Sequence, residues 1–197
     1  MKNKGVVIAL AAVLVLVLAG SGLVLGRWGD KFMPPMDVVV DEDETTAKPK
    51  ESDVPKDEAD RAMDFTAYDR EGNAVALSDM LGKPVVMNFW ASWCPPCREE
   101  MPAFEKVYAE LGADVQFMMV DMVDGWGETA EEGMEYVDEQ GFTFPVYFDT
   151  DMDAALTYGV RSIPMTFFID AEGYIVTSAT GAIGEESLRA GIALISE

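Results

Sequence analysis

The chain has 197 residues and only two cysteines, which stand in Trp93-Cys94-Pro95-Pro96-Cys97, and it has no histidine. Two thiols at i and i+3 can close on each other, or exchange with a thiol or disulfide supplied by another molecule. The thiolate is the nucleophile in that exchange, so the pair needs a place that stabilises a sulfur anion. A strand that gives way to a helix at Cys94 supplies one, because the unpaired N–H groups and macrodipole of a helix N-terminus favour negative charge. Cys94 is expected to attack and Cys97, one turn on and more buried, to resolve the mixed disulfide. Pro95 and Pro96 suit a first helical turn, where no N–H is needed, and restrict the loop between the sulfurs.

Other uses of the pair fare unequally. An inert disulfide across so short a loop removes little chain entropy. A structural zinc site needs four ligands, which two cysteines without histidine do not supply. Haem attachment needs a histidine after the second cysteine, and Arg98 stands there. Copper(I) held by Cys94 and Cys97 stays open, as a metal-binding module rather than an enzyme. The 13 methionines do not favour it: Met87, Met118, Met119 and Met165 fall in strand patterns and read as core. Neither a resident metal nor a cofactor is expected.

The elements around the pair alternate. Asp64–Tyr68 and Ala74–Leu77 read as a hairpin across Asp69-Arg70-Glu71-Gly72-Asn73. Ser78 to Gly82 predicts one helical turn capped by Ser78. Pro84–Trp90 and Val115–Asp121 are apolar runs of the kind a strand buried on both faces shows. Between them Met101, Phe104, Val107, Tyr108 and Leu111 recur at helical spacing, with Pro102 expected to kink the helix. Glu128–Gln140 predicts an inserted helix stopped by Gly141, and Asp151–Tyr158 a short one. Pro145–Phe148 and Met165–Ile169 predict strands, Asp170–Gly173 a turn, Tyr174–Ala179 the returning strand and Glu185–Ile195 a closing helix. This is an α/β pattern: a central mixed sheet flanked by helices, with an N-terminal β-hairpin.

Three segments are expected. Residues 1–26 carry Lys2 and Lys4 before an uncharged apolar run, Gly5–Gly26. Its 22 residues span about 33 Å as a helix at roughly 1.5 Å per residue, enough to cross a bilayer core. The lysines place the N-terminus in the cytoplasm. An uncleaved anchor is the preferred reading, and a signal peptide cleaved near Ala19-Gly20-Ser21-Gly22 is the other. Residues 27–62, with Pro34-Pro35 and Asp41-Glu42-Asp43-Glu44, have the composition of a flexible acidic tether. Residues 63–197 are one domain. It holds 25 acidic and 6 basic residues, a surface that repels nucleic acid and anionic headgroups.

The segment Phe89-Trp90-Ala91-Ser92-Trp93-Cys94-Pro95-Pro96-Cys97-Arg98-Glu99-Glu100-Met101-Pro102, with Val160-Arg161-Ser162-Ile163-Pro164-Met165-Thr166-Phe167, resembles the thioredoxin superfamily. More narrowly, it resembles the membrane-anchored TlpA/ResA-like thiol-disulfide oxidoreductases. That resemblance implies a thioredoxin-like fold and a protein-disulfide reductase outside the cytoplasmic membrane, serving cytochrome c maturation or repair of oxidised proteins. It implies that Pro164 is a cis-proline facing the cysteines, and that Trp93, Pro95, Pro96, Ile163 and Pro164 form the substrate surface. Ile163 before that proline implies reduction rather than oxidation. Glu100 is implied as a buried carboxyl that exchanges a proton with Cys97. Asn88 stands where ordinary thioredoxins place an aspartate. The partners implied are proteins with disulfides and a CcdA/DsbD-like transmembrane electron donor. A thioredoxin-fold copper(I) chaperone is the alternative; a peroxiredoxin-like peroxidase is disfavoured, because its Pro-x-x-x-Thr-x-x-Cys pattern is absent.

Overall fold

The computed structural model describes residues 58–124 and 127–196. The expected membrane segment, and the spacer up to residue 57, lie outside the described residues. Among the described residues no helix is long and apolar enough to cross a membrane.

Strand β1 (Thr66–Tyr68) and strand β2 (Ala74–Ala76) form the opening hairpin. Asp69 closes its turn by accepting the N–H groups of Glu71 and Asn73, and Gly72 takes φ 81, a conformation glycine adopts without Cβ strain. A 3-10 turn, Leu77–Met80, follows. Ser78 does not cap it. Its backbone N–H and hydroxyl are both donated to Asp64, and Asp79 instead accepts the Ala76 N–H.

Strand β3 (Val85–Trp90) is buried at every position, as its unbroken apolar run requires. Helix α1 (Pro95–Leu111) starts with Cys94 as its N-cap and continues through Pro102 as one element. Pro102 deletes one helical N–H donor. Met101, Phe104 and Val107 are buried on either side of it and hold the helix to the sheet. Strand β4 (Gln116–Asp121) is followed by helix α2 (Ala130–Gln140). The expected start at Glu128 is two residues early. Thr129 takes extended backbone and its hydroxyl accepts the Glu132 N–H, so the helix begins after it. Gly141 at φ 71 ends α2 in the left-handed conformation.

Strand β5 (Val146–Phe148) leads to helix α3 (Asp153–Thr157), strand β6 (Met165–Ile169), strand β7 (Ile175–Thr180) and helix α4 (Glu185–Ile195). The short α3 starts later than Asp151 because the Asp149 carboxylate takes the N–H groups of Ala154 and Ala155. The seven strands run β2-β1-β5-β4-β3-β6-β7. β3 is parallel to β4 and antiparallel to β6, so the sheet is mixed. One face carries α1, α2 and α4 over Val86, Trp90, Phe117, Met119 and Phe168. The other carries α3 and the 3-10 turn over Phe89, Met118, Val120 and Phe167.

Residues 58–62 fall in the segment expected to be tether, yet they pack on the β6–β7 turn. The Ala62 N–H donates to the Gly173 carbonyl at 2.9 Å. The Arg61 guanidinium lies 4.7 Å from the Tyr174 ring centroid and also donates to the tyrosine hydroxyl. A planar cation with several donors can satisfy a ring face and oxygen acceptors together, which spacing alone did not reveal.

Candidate active site

The site forms where β3 ends. A tight turn follows it, in which the Cys94 N–H donates to the Ala91 carbonyl at 3.1 Å. Cys94 and Cys97 are joined in a disulfide. Cys94 Sγ accepts the Cys97 N–H at 3.3 Å, so the first sulfur sits on the exposed donors of the α1 N-terminus. That is the setting that lowers a thiol pKa once the bond is reduced. Both sulfur-bearing side chains are buried in this oxidised form, Cys94 2% exposed and Cys97 not at all. The difference between them has the expected order but is small.

The Ile163–Pro164 bond is cis. The Ile163 carbonyl oxygen lies 3.8 Å from Cys94 Sγ, so the β6 approach and the β3 exit meet at the first sulfur. Pro164 is buried and Ile163 half-buried. Trp93 is 54% exposed, and Pro95 and Pro96 are exposed beside it. The Gly127 backbone lies beside the Trp93 indole, so that a Cβ there would stand 3.4 Å from Nε1, at ordinary contact distance.

Glu100 lies one turn past Cys97 on the buried side of α1 and is 3% exposed, while Glu99 faces solvent. Its Oε1 accepts Asn88 Nδ2 at 2.9 Å and its Oε2 accepts the Ile183 N–H at 2.9 Å. Burial pushes its pKa up to about 7, and the two donated hydrogen bonds pull against that shift. A carboxyl poised there exchanges a proton readily near neutrality. Asn88 is held by its register partner on β6, donating to Thr166 Oγ1 at 3.0 Å.

A family model described as AhpC/TSA matches residues 59–178, the hairpin, both cysteines and the Ile163-Pro164 segment included. The chain belongs to the AhpC/TSA family. Among relatives of this AhpC/TSA chain, the thiol-disulfide oxidoreductase ResA of Halalkalibacterium halodurans is 34% identical over 137 residues, 69% of this chain and 76% of the relative. A DsbE-type thiol:disulfide interchange protein from Chlorobium tepidum superposes with a TM-score of 0.62 at 30% identity, over 71% of this chain and 97% of that one. The exposed lipoprotein thioredoxin Etrx1 of Streptococcus pneumoniae superposes with a TM-score of 0.59 at 31% identity, over 67% and 100%. This AhpC/TSA domain is a thiol-disulfide oxidoreductase with a thioredoxin-like fold.

Three residues of the site were given no role from the sequence: Ser92, which lies within the cysteine motif, and Asp121 and Glu128, which lie outside it. Ser92 Oγ donates to Glu128 Oε2 at 2.8 Å, joining the cysteine turn to the β4–α2 loop. One signal for Asp121 was available. It is a carboxylate at the C-terminal end of an apolar strand, the end of an open α/β sheet where sites gather.

Proposed function

We propose that the chain is a membrane-tethered, extracytoplasmic reductase of protein disulfides. The observation that carries the chemistry is Cys94 Sγ on the α1 N-terminus beneath the Ile163 carbonyl, with the Glu100 carboxyl buried one turn beyond Cys97. In the reduced pair the Cys94 thiolate attacks a substrate disulfide. One substrate sulfur leaves as a thiolate and is protonated, and the other stays bonded to Cys94. Cys97 gives its proton to Glu100 and attacks Cys94 Sγ, and the second substrate sulfur leaves. Two electrons pass to the substrate and the Cys94–Cys97 bond forms.

The reducing direction is supported by Ile163 before Pro164, the residue the resemblance associates with reductases. The location is supported by Lys2 and Lys4 ahead of the Gly5–Gly26 run, and by similarity to an exposed lipoprotein of S. pneumoniae. A CcdA/DsbD-like transmembrane protein is the electron donor on this reading. Cytochrome c maturation or repair of oxidised proteins is the process served.

The test is Cys97→Ser in membranes of cells carrying the full chain. Disulfide-linked adducts through Cys94 are expected in the membrane fraction, and they identify the substrates. Adducts that accumulate on Cys94→Ser instead would reverse the assigned roles. Stoichiometric copper(I) binding that requires both cysteines, with no disulfide-reducing activity, would replace the reductase by a metal carrier.

A further inference from the structure

Two fully buried acids beneath the cysteine turn take no part in the thiol chemistry. Asp121 ends β4 opposite Trp90, and Glu128 immediately precedes the α2 cap. They converge on the bare Cα of Gly133, one turn into α2. A Cβ there would lie 3.3 Å from Glu128 Oε1 and would overlap Asp121 Oδ2. Neither oxygen of Asp121, nor Oε1 of Glu128, receives an N–H or hydroxyl from the described residues. The remaining oxygen, Glu128 Oε2, holds Ser92 Oγ at 2.8 Å.

The surroundings do not compensate two negative charges. Glu132 on α2 adds a third carboxylate that opposes ionisation of both. The loop contributes Asp124, which accepts the Gly127 and Glu128 N–H groups. Just past β5, the Asp149 backbone N–H donates to the Asp121 carbonyl at 2.9 Å. On α2, Tyr136 packs on Trp90, and its ring carries the Arg98 guanidinium of α1 at 4.9 Å. No ion pair among the described residues includes either acid. Two adjoining buried carboxylates cannot both ionise cheaply, whereas a neutral carboxyl can donate its proton to an ionised one.

We propose that Asp121 and Glu128 share one proton, and that this proton positions the cysteine turn by keeping Glu128 bonded to Ser92, two residues before Cys94. Loss of the proton to hydroxide leaves two carboxylates in contact. They separate, Glu128 lets go of Ser92, and the Ala91–Cys94 turn that presents the first sulfur and Trp93 loosens. Both acids act through Ser92, as positioning residues. Burial, and the Glu128 carboxylate beside it, push Asp121 up to about 9, so the release belongs to mildly alkaline conditions.

The experiment uses the disulfide form of the full chain, in which no thiol titrates. Amide NMR signals of Ser92 and Trp93 are followed from pH 6 to 10.5 in the wild type, Asp121→Asn and Glu100→Gln. The expected result is an alkaline transition in the wild type that is absent in Asp121→Asn, whose amide stays neutral and can still donate to Glu128, and unchanged in Glu100→Gln. A transition that persists unaltered in Asp121→Asn overturns the proposal. If Asp121→Asn does not fold, infrared spectra of Glu100→Gln decide. A neutral-carboxyl band present at pH 7 that bleaches with the Ser92 transition supports the shared proton, and no such band overturns it. Absence of trapped adducts on Cys97→Ser would defeat the functional reading while leaving these titrations intact.

Discussion

The side-chain amide of Asn88 donates to Glu100 Oε1 at 2.9 Å, linking the strand that leads into the cysteine turn to the helix that leads out of it. The partner suits either state of the acid. As found, Nδ2 serves the carboxylate, and Asn88 Oδ1 takes no hydrogen bond from the described residues. With the amide turned over, Oδ1 would accept the proton of a neutral Glu100. An ionised aspartate at position 88 could only accept.

Glu100→Gln should alter stability in a pH-dependent way. The fold raises the Glu100 pKa from an ordinary 4.5 to about 7. A raised pKa means that the stability from the neutral form is fully present below 4.5 and is lost as the pH climbs through about 7. Glutamine stays neutral throughout. The variant should match the wild type at pH 4 and exceed it at pH 8 by about 3 kcal/mol, on a scale of about 1.4 kcal/mol per pKa unit. Urea denaturation of the disulfide form at the two pH values measures the gap. The rate at which Cys97 resolves a mixed disulfide should also lose its pH limb near neutrality.

Asn88→Asp should place a second carboxyl against Glu100 in a buried position. Like charges there hold one proton more tightly. The pH limb of the Cys97 step should move to higher pH, read by stopped-flow release of substrate thiol from a preformed mixed disulfide. A limb that stays in place would mean that the two side chains are not coupled.

Gly191→Ala should destabilise the domain although alanine is the better helix former. A Cβ at Gly191 would overlap the Phe168 ring, which lies in the core between α4 and the sheet. Overpacking of that kind costs about 1–3 kcal/mol, against a helix gain of about 1 kcal/mol. Thermal unfolding should show a lower midpoint, and Gly191→Ala combined with Phe168→Leu should recover part of the loss.

Thr129→Ala should remove the α2 cap, in which the threonine hydroxyl accepts the Glu132 N–H at 3.2 Å. The expected cost is about 1 kcal/mol. Thr129→Asp or Thr129→Ser should keep most of the stability, measured in the same denaturation experiment.

Much of this molecule was legible because its signals are local. An unbroken apolar run marks β3, helical spacing marks α1, and Gly72, Gly141 and Gly173 sit at turns that take positive φ. The Cys94–Cys97 spacing announced the chemistry, and the resemblance pointed to Pro164 and Glu100. Element edges were less legible, since competing hydrogen bonds set them. Asp64 takes Ser78 from its expected cap, Asp149 delays α3, and Thr129 leaves Glu128 outside α2.

By itself the sequence determined that two thiols act as a pair at a strand-to-helix junction, within an α/β domain preceded by an apolar segment and an acidic one. Residue type and spacing suffice for that, because backbone periodicity and thiol chemistry act over a few residues. Only the tertiary structure decided which acids are buried and what they face. Glu99 and Glu100 are neighbours of one type, yet one is solvated and the other lies under Asn88 and Ile183. Asp121 and Glu128 are ordinary acids in the chain and converge on one buried spot because Gly133, lacking a Cβ, leaves room for them under α2. Desolvation depends on what packs above a side chain, and those neighbours come from distant parts of the sequence.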